Sequence, residues 1–416
     1  MTVVELRRVE PGLLVIGVDG APLVTDGSLG IDVLVLEVVG GHLSWVLDGG
    51  DLPAAVLDDV EAAQDWVWAV FGEEVALAVA ENYPQSLTAV PARPELVTAL
   101  RRLAYAHWAS RWWPASTVDG IPSLDARLLL DEIESLTGTC EMVLDEGADD
   151  ALRRMVIEHG DYAGIDDGIA PGGRDAGGAT SGSQDVSGAA SDGGEHGGVT
   201  GRDAGARGES GGRADDYALA AGGQDQGGGL IVVRGSGGWD WRRCPPGILD
   251  ASERAVSWQV TRAAGVSRVQ VNVVAAPDCR GAVPEHLRPF ARVRLLAATE
   301  QNEASPADDG AEPHSSATER GHSSARDDHA GSLPSAGVEI ALLLRGDVWT
   351  GTAEIPGTPD TSLEVTVFVP AVGPADPVDD VAARDRVRGF ARRRLGGAAG
   401  AGLDAEVAAA ESDEDF

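Results

Sequence analysis

Over the first fifty residues the apolar positions fall in the short runs and alternations of β-strands. Leu13-Leu14-Val15-Ile16 is a buried-type run closed by the turn signal Val18-Asp19-Gly20. Val33 to Val39 faces His42 to Leu47 across Gly40-Gly41, which is a hairpin signature. From residue 53 the period lengthens to that of a helix. Val56, Val60, Ala63, Val67 and Val70 recur at spacings of three and four, with Trp66 beside them and Asp58, Asp59, Glu61 and Asp65 on other faces. A second helix opens after Pro94, carries Leu96, Leu100, Leu103, Ala104, Trp108 and Trp112, and stops at Pro114. A third begins at the N-cap residue Ser123 and runs through Leu128, Leu129, Ile133 and Leu136. Arg153, Arg154, Met155 and Ile157 suggest a fourth, shorter one.

Alternation returns after residue 229. Leu230 to Arg234, Val256 to Thr261, Val269 to Val273 and Ala291 to Leu296 each read as a strand. Glu339 to Leu344 and Val348 to Ile355 flank Arg345-Gly346-Asp347 as a hairpin, and Leu363 to Val369 closes the set. Several short strands without intervening helices predict an antiparallel β-sandwich-like domain. A last helix spans Val378 to Leu395. The expected fold class is therefore α+β.

Composition then divides the chain. Much of the glycine, 55 residues in 416, falls between 171 and 229, where large apolar groups are almost absent. Such a segment buries too little surface to offset chain entropy and reads as a disordered linker. Gly-Arg-Asp-Ala-Gly occurs twice in it, at 173–177 and 201–205, without the strict period of a repeat fold. A second polar insertion, 300–337, holds His314, His322 and His329. The expected organisation is an acidic β-then-α domain over 1–170, the linker over 171–229, a β-rich domain over 230–395 with its disordered insertion, and an acidic disordered tail over 396–416.

Net charge is -35, from 67 acidic against 32 basic residues, and every basic residue is arginine. A lysine-free chain has no P-loop lysine, no Schiff-base lysine and no kinase-type strand lysine. A GC-rich genome, a salt-adapted proteome or selection against lysine-directed modification would each produce the bias, and the first is the expected cause. Residues 1–170 are strongly acidic, whereas 230–299 and Arg384 to Arg394 carry an arginine excess. Such opposition implies that parts of one chain attract each other. Nucleic acid and anionic membrane would be repelled at long range, so neither is an expected partner. Cys140, Cys244 and Cys279 are odd in number and far apart, which indicates neither a disulfide framework nor a zinc site. With no apolar run of membrane length and no secretory h-region, the expected compartment is the cytoplasm.

Candidate chemistry is thin. Gly208-Glu209-Ser210-Gly211-Gly212 matches a nucleophile pattern but lies inside the glycine-rich segment, without the strand and helix that build an elbow. Gly235-Ser236-Gly237-Gly238 follows a strand as a phosphate-binding turn would, yet Trp239 to Pro246 is no helix start. Glu158, His159, Asp161, Asp166 and Asp167 fit no metal-binding spacing. Asp19, Asp26 and Asp32 have the residue type for acid–base work, but turn chemistry explains them. No catalytic residue, metal site or cofactor is assigned.

Two groups combining tryptophan and arginine stand out: Arg111, Trp112 and Trp113 at one helix end, and Trp239, Trp241, Arg242 and Arg243. These are the residue types that anchor protein interfaces, so they are the interface candidates. The expected function is a non-enzymatic interaction or adaptor protein of a bacterial multiprotein system, with a protein partner. The alternatives are a metal- or carboxylate-dependent hydrolase and a ligand-binding β-sandwich module using Trp239 and Trp241.

Overall fold

The computed structural model describes residues 2–144, 229–296 and 337–413, apart from 11, 26–29, 82, 280–282, 357–361, 376, 377, 379 and 398–401. The expected glycine-rich linker, the fourth helix near Arg153 and nearly all of the 300–337 insertion lie outside the described residues.

The N-terminal half is built on one antiparallel sheet. Its strands are β1 (Thr2–Glu10), β2 (Leu13–Val18), β3 (Val33–Val38), β4 (Gly41–Val46), β5 (Ala54–Leu57) and β6 (Gln85–Ala89), in the order β3-β4-β5-β2-β1-β6. The β3–β4 hairpin forms where the sequence places it, with Val33 opposite Val46 and Val38 opposite Gly41. Gly40 turns with φ at +74°, and a Cβ there would lie 2.3 Å from the Asp59 carbonyl oxygen. Both the conformation and the close approach demand glycine.

Four helices follow: α1 (Val60–Phe71), α2 (Glu73–Glu81), α3 (Pro94–Trp112) and α4 (Ala126–Cys140). The Asp59 carboxylate caps α1 by accepting from the Glu61 and Ala62 N–H groups. Asp125 caps α4 in the same way, so that helix starts at Ala126 rather than at Ser123. Pro94 occupies the first turn of α3, where its missing N–H costs nothing. Val56 is not helical. Ala54–Leu57 is buried throughout as β5, between β4 and β2. A four-residue, alanine-rich strand shows no alternation, and its valine happens to match the period of the helix beyond.

The C-terminal half carries β7 (Leu230–Gly237), β8 (Val256–Ala263), β9 (Val266–Val274), β10 (Phe290–Leu296), β11 (Val338–Ala341), β12 (Leu343–Arg345), β13 (Val348–Ile355) and β14 (Ser362–Phe368). They form a five-stranded sheet, β12-β13-β9-β8-β7, and a three-stranded one, β11-β10-β14. The chain leaves one sheet and enters the other at Leu342, which is fully buried. A Cβ on Gly351 of β13 would come within 2.6–2.8 Å of Ile340, Ala341 and Leu342, so the two sheets close tightly there. The sandwich-like arrangement is the one the alternation predicts.

Two helices end the described chain, α5 (Val381–Gly396) and α6 (Asp404–Asp413). The expectation of a disordered tail is corrected here. Leu403, Ala405, Glu406 and Ala409 are buried, because Glu406 finds cationic and hydroxyl partners that composition alone does not reveal. Buried side chains of both halves belong to one continuous core, and the Ala251 N–H donates to the Ala115 carbonyl across the join at 3.2 Å. No helix among the described residues is long and apolar enough to cross a membrane.

Candidate functional site

Helix α5 occupies the seam between the halves. Ala383, Val387, Phe390 and Ala391 recur at spacings of three and four and are buried. Phe390 stands edge-on to Tyr105 and Trp108 of α3, with ring centroids 5.8 and 6.0 Å away. Tyr105 and Trp108 stack on each other at 5.7 Å. The Trp108 indole N–H donates 2.7 Å to the Ile31 carbonyl, so the aromatic group is tied to the N-terminal sheet as well.

Every arginine of α5 meets a carboxylate. Toward the C-terminal half, the Arg384 guanidinium donates to both oxygens of Glu253, at 2.5 and 3.1 Å. Arg388 donates to the same Glu253 at 3.1 Å and to the Ala251 carbonyl at 3.1 Å, and it pairs with Asp385. Its guanidinium also lies 5.8 Å from the centroid of the Trp241 ring. Toward the N-terminal half, Arg386 pairs with Asp32 at 2.7 Å, Arg393 with Asp48 at 2.5 Å and Arg392 with Asp119 at 3.4 Å. Arg394 pairs with Glu406 at 2.6 Å. Part of the arginine excess read from the sequence thus meets the acidic N-terminal half, through Arg386, Arg392 and Arg393. Arg386 and Arg393 are mostly solvent-exposed and add little each, whereas Arg384 and Arg388 are buried and need their partners.

Asp250 forms a second tie. Its carboxylate accepts from the Ser116 hydroxyl at 2.7 Å, the Ser252 N–H at 2.9 Å and the Val118 N–H at 3.3 Å. It therefore clasps the loop after α3 to the loop before β8. Burial raises its pKa above the ordinary carboxylate value even though these hydrogen bonds act the other way.

The interface candidates lie near this seam, with Arg111, Trp112, Trp113 and Arg242 half-buried. The Arg111 guanidinium lies 4.1 Å from the centroid of the Trp112 ring and donates to the Cys244 carbonyl at 3.3 Å, which joins the first group to the second. Burial lowers the Arg111 pKa. The Trp113 indole N–H donates to Pro122 O at 2.8 Å, and that of Trp239 to Asp250 O at 2.7 Å. Trp239, Trp241 and Arg243 are buried, and the Arg243 guanidinium stacks 4.9 Å from Phe368. Arg242 pairs with Asp380 at 2.9 Å. Among these contacts the one from Arg111 to Cys244 crosses between the halves, and the others lie within one half. The residues the sequence reading missed are Asp250, Glu253 and Glu406, and each is a carboxylate with no spacing signal.

Other candidates resolve into packing. Gly235 and Gly237 belong to strand β7, and a Cβ on Gly235 would strike the Trp258 ring at 2.4 Å. A Cβ on Gly238 would lie 2.2 Å from Glu253 Oε2, so these glycines make room for neighbours. Asp19 is an exposed turn residue, and Asp32 belongs to its ion pair. Asp26, the Glu158–Asp167 cluster and Ser210 lie outside the described residues. Burial pushes the Cys140 and Cys279 thiols up to about 11 and Cys244 higher still, which leaves them protonated and unreactive at neutral pH. Among the described residues no group of three or more His, Cys, Asp or Glu could hold a metal ion. A cavity of about 250 Å³ lies between the loop at Gly120 and Pro122, Arg392, Leu395 and Gly396 of α5, and Ala410 of α6. Arg392, the single ionisable group lining it, is paired with Asp119.

No family model, curated protein or solved structure matches the chain.

Proposed function

We propose that this chain is a non-enzymatic interaction or adaptor protein. The observation that carries the reading is an apolar corner beside a free sheet edge. Trp68 of α1, Leu77 of α2, and Tyr83 and Val90 on either side of β6 are 45%, 59%, 68% and 54% exposed. These elements are consecutive and packed together, with the Val90 N–H donating to the Phe71 carbonyl at 3.0 Å. Among the described residues strand β6 ends its sheet and pairs only with β1, and no described strand covers the backbone donors and acceptors on its outer side. Exposed aromatic and aliphatic groups rimmed by Glu73, Glu74 and Glu81 have the make-up of a protein-docking surface. The buried polar groups at the seam have structural partners, which favours binding over catalysis as the work of the surface.

The test is a pull-down with the full chain at low and high salt, repeated with Trp68→Ser and Leu77→Asp. The reading expects a partner that the wild-type chain retains and both variants lose. It fails if the chain retains nothing at any ionic strength, or if the variants retain the same proteins.

A further inference from the structure

Helix α6 sits in a socket made by α3, α4 and α5. Its buried side chains are mostly alanine, Ala405 and Ala409, with Leu403 ahead of the first turn. They bury little apolar area, so burial alone holds the helix weakly. The anchor is polar. Glu406, fully buried, accepts from the Tyr105 hydroxyl at 2.5 Å, from Arg394 Nε at 3.0 Å and Nη2 at 2.6 Å, and from the Leu403 N–H at 2.8 Å. Beside it, Glu132 of α4 accepts from the Asp404 N–H at 2.9 Å and pairs with Arg102, which also donates to the Gly402 carbonyl at 3.1 Å. The socket thus reads a short pattern: an apolar residue, a carboxylate three positions later in a helix, and the free N–H groups of that helix's first turn.

We propose that this socket is a docking site for an acidic, alanine-rich helix with a leucine three residues before a glutamate, and that α6 fills it in cis. The occupant is argued from complementarity. One arginine, Arg394, and the Tyr105 hydroxyl face the carboxylate, Glu132 faces the helix N-terminus, and an apolar seat receives the leucine. Arg394 is held firmly charged by its hydrogen bonds to Glu406, and burial with the adjacent carboxylate keeps the Tyr105 proton in place. With α6 displaced, these groups would face solvent ready for an equivalent helix on another chain. Resting on the adaptor reading, this identifies α6 as an internal competitor that limits docking at the socket.

The experiment uses the full chain and a labelled peptide of residues 402–413, followed by fluorescence anisotropy. In wild-type protein, α6 competes at high effective concentration, so the peptide should bind weakly. In Glu406→Gln, the cis anchor is weakened and the same peptide should bind at least tenfold more tightly. A peptide carrying the same Glu406→Gln change should lose that gain. A folded Glu406→Gln protein that binds the wild-type peptide no better than wild type does overturns the proposal, and so does equal binding of both peptides. If Glu406→Gln does not fold, hydrogen exchange on the wild-type chain decides. Amides of α6 should exchange at least 100-fold faster than the buried turns of α5, and equal protection overturns the proposal. A failure here leaves the Trp68 pull-down untouched, so the two ideas fail separately.

Discussion

Replacing Glu253 with alanine tests how α5 is held. The substitution removes the shared acceptor of Arg384 and Arg388, whose side chains are 6% and 5% exposed. Three hydrogen bonds disappear, at 2.5, 3.1 and 3.1 Å, and two buried cations lose their common anion. Removing one member of a buried ion pair costs about 3–5 kcal/mol, because the remaining charge keeps its desolvation penalty. Arg388 retains the Ala251 carbonyl and Asp385, which places the expected loss at the lower end, about 3 kcal/mol. The control is Glu354→Ala, which breaks an exposed pair with Arg268 and should cost less than about 1 kcal/mol. Equilibrium urea unfolding followed by tryptophan fluorescence gives both values. The difference between them should persist at 1 M salt (~3 Å Debye length), since buried pairs are screened little. A Glu253→Ala loss no larger than that of Glu354→Ala would refute the reasoning.

Three further outcomes follow from the geometry. Gly238→Ala should destabilise by about 1–3 kcal/mol, because its methyl meets Glu253 Oε2, while Gly237→Ala, which meets open space, should change stability by less than about 0.5 kcal/mol; paired unfolding curves check this. Burial raises the Asp250 pKa, so the folded state holds that proton more tightly than the unfolded chain. Its contribution is therefore most favourable at low pH and declines as pH rises from the ordinary carboxylate value of about 3.9 through the raised folded value; subtracting an Asp250→Asn stability profile from the wild-type profile should isolate that slope. With its thiol near 11, Cys279 should react slowly with iodoacetamide at pH 7 in the folded protein, the rate rising about tenfold per pH unit up to pH 10; a fast, pH-independent reaction would contradict the assigned burial.

Much of the fold is legible in the sequence because its strands alternate and its long helices keep their period. The β3–β4 hairpin, α3 and the strands β8, β9 and β13 are all read correctly from spacing. Strand β5, helix α2 and strand β6 are not, since short alanine-containing elements carry little periodic signal. Helix α6 escaped for a different reason. Its sequence has an acidic, low-complexity character, and its buried carboxylate meets Arg394 and a tyrosine 301 positions away. Charge asymmetry pointed correctly to attraction within the chain, but it could not say that α5 would be the meeting place. The tryptophan–arginine groups show the limit most clearly. The same residue types anchor cores and interfaces, and spacing alone does not show that Trp239, Trp241 and Arg243 are buried. The exposed corner at Trp68 and Leu77 was invisible for the converse reason, because those residues fall within ordinary helical patterns.

Helix α5 couples the two halves into one cooperative unit, through Glu253 on one side and the packing of Phe390 on Tyr105 and Trp108 on the other. Native-state hydrogen exchange on wild type and Glu253→Ala tests it directly, by comparing the slowest amides of β2 in one half with those of β9 in the other. Coupling predicts that both strands lose the same protection free energy in the variant. Loss confined to β9, with β2 unchanged, would contradict it.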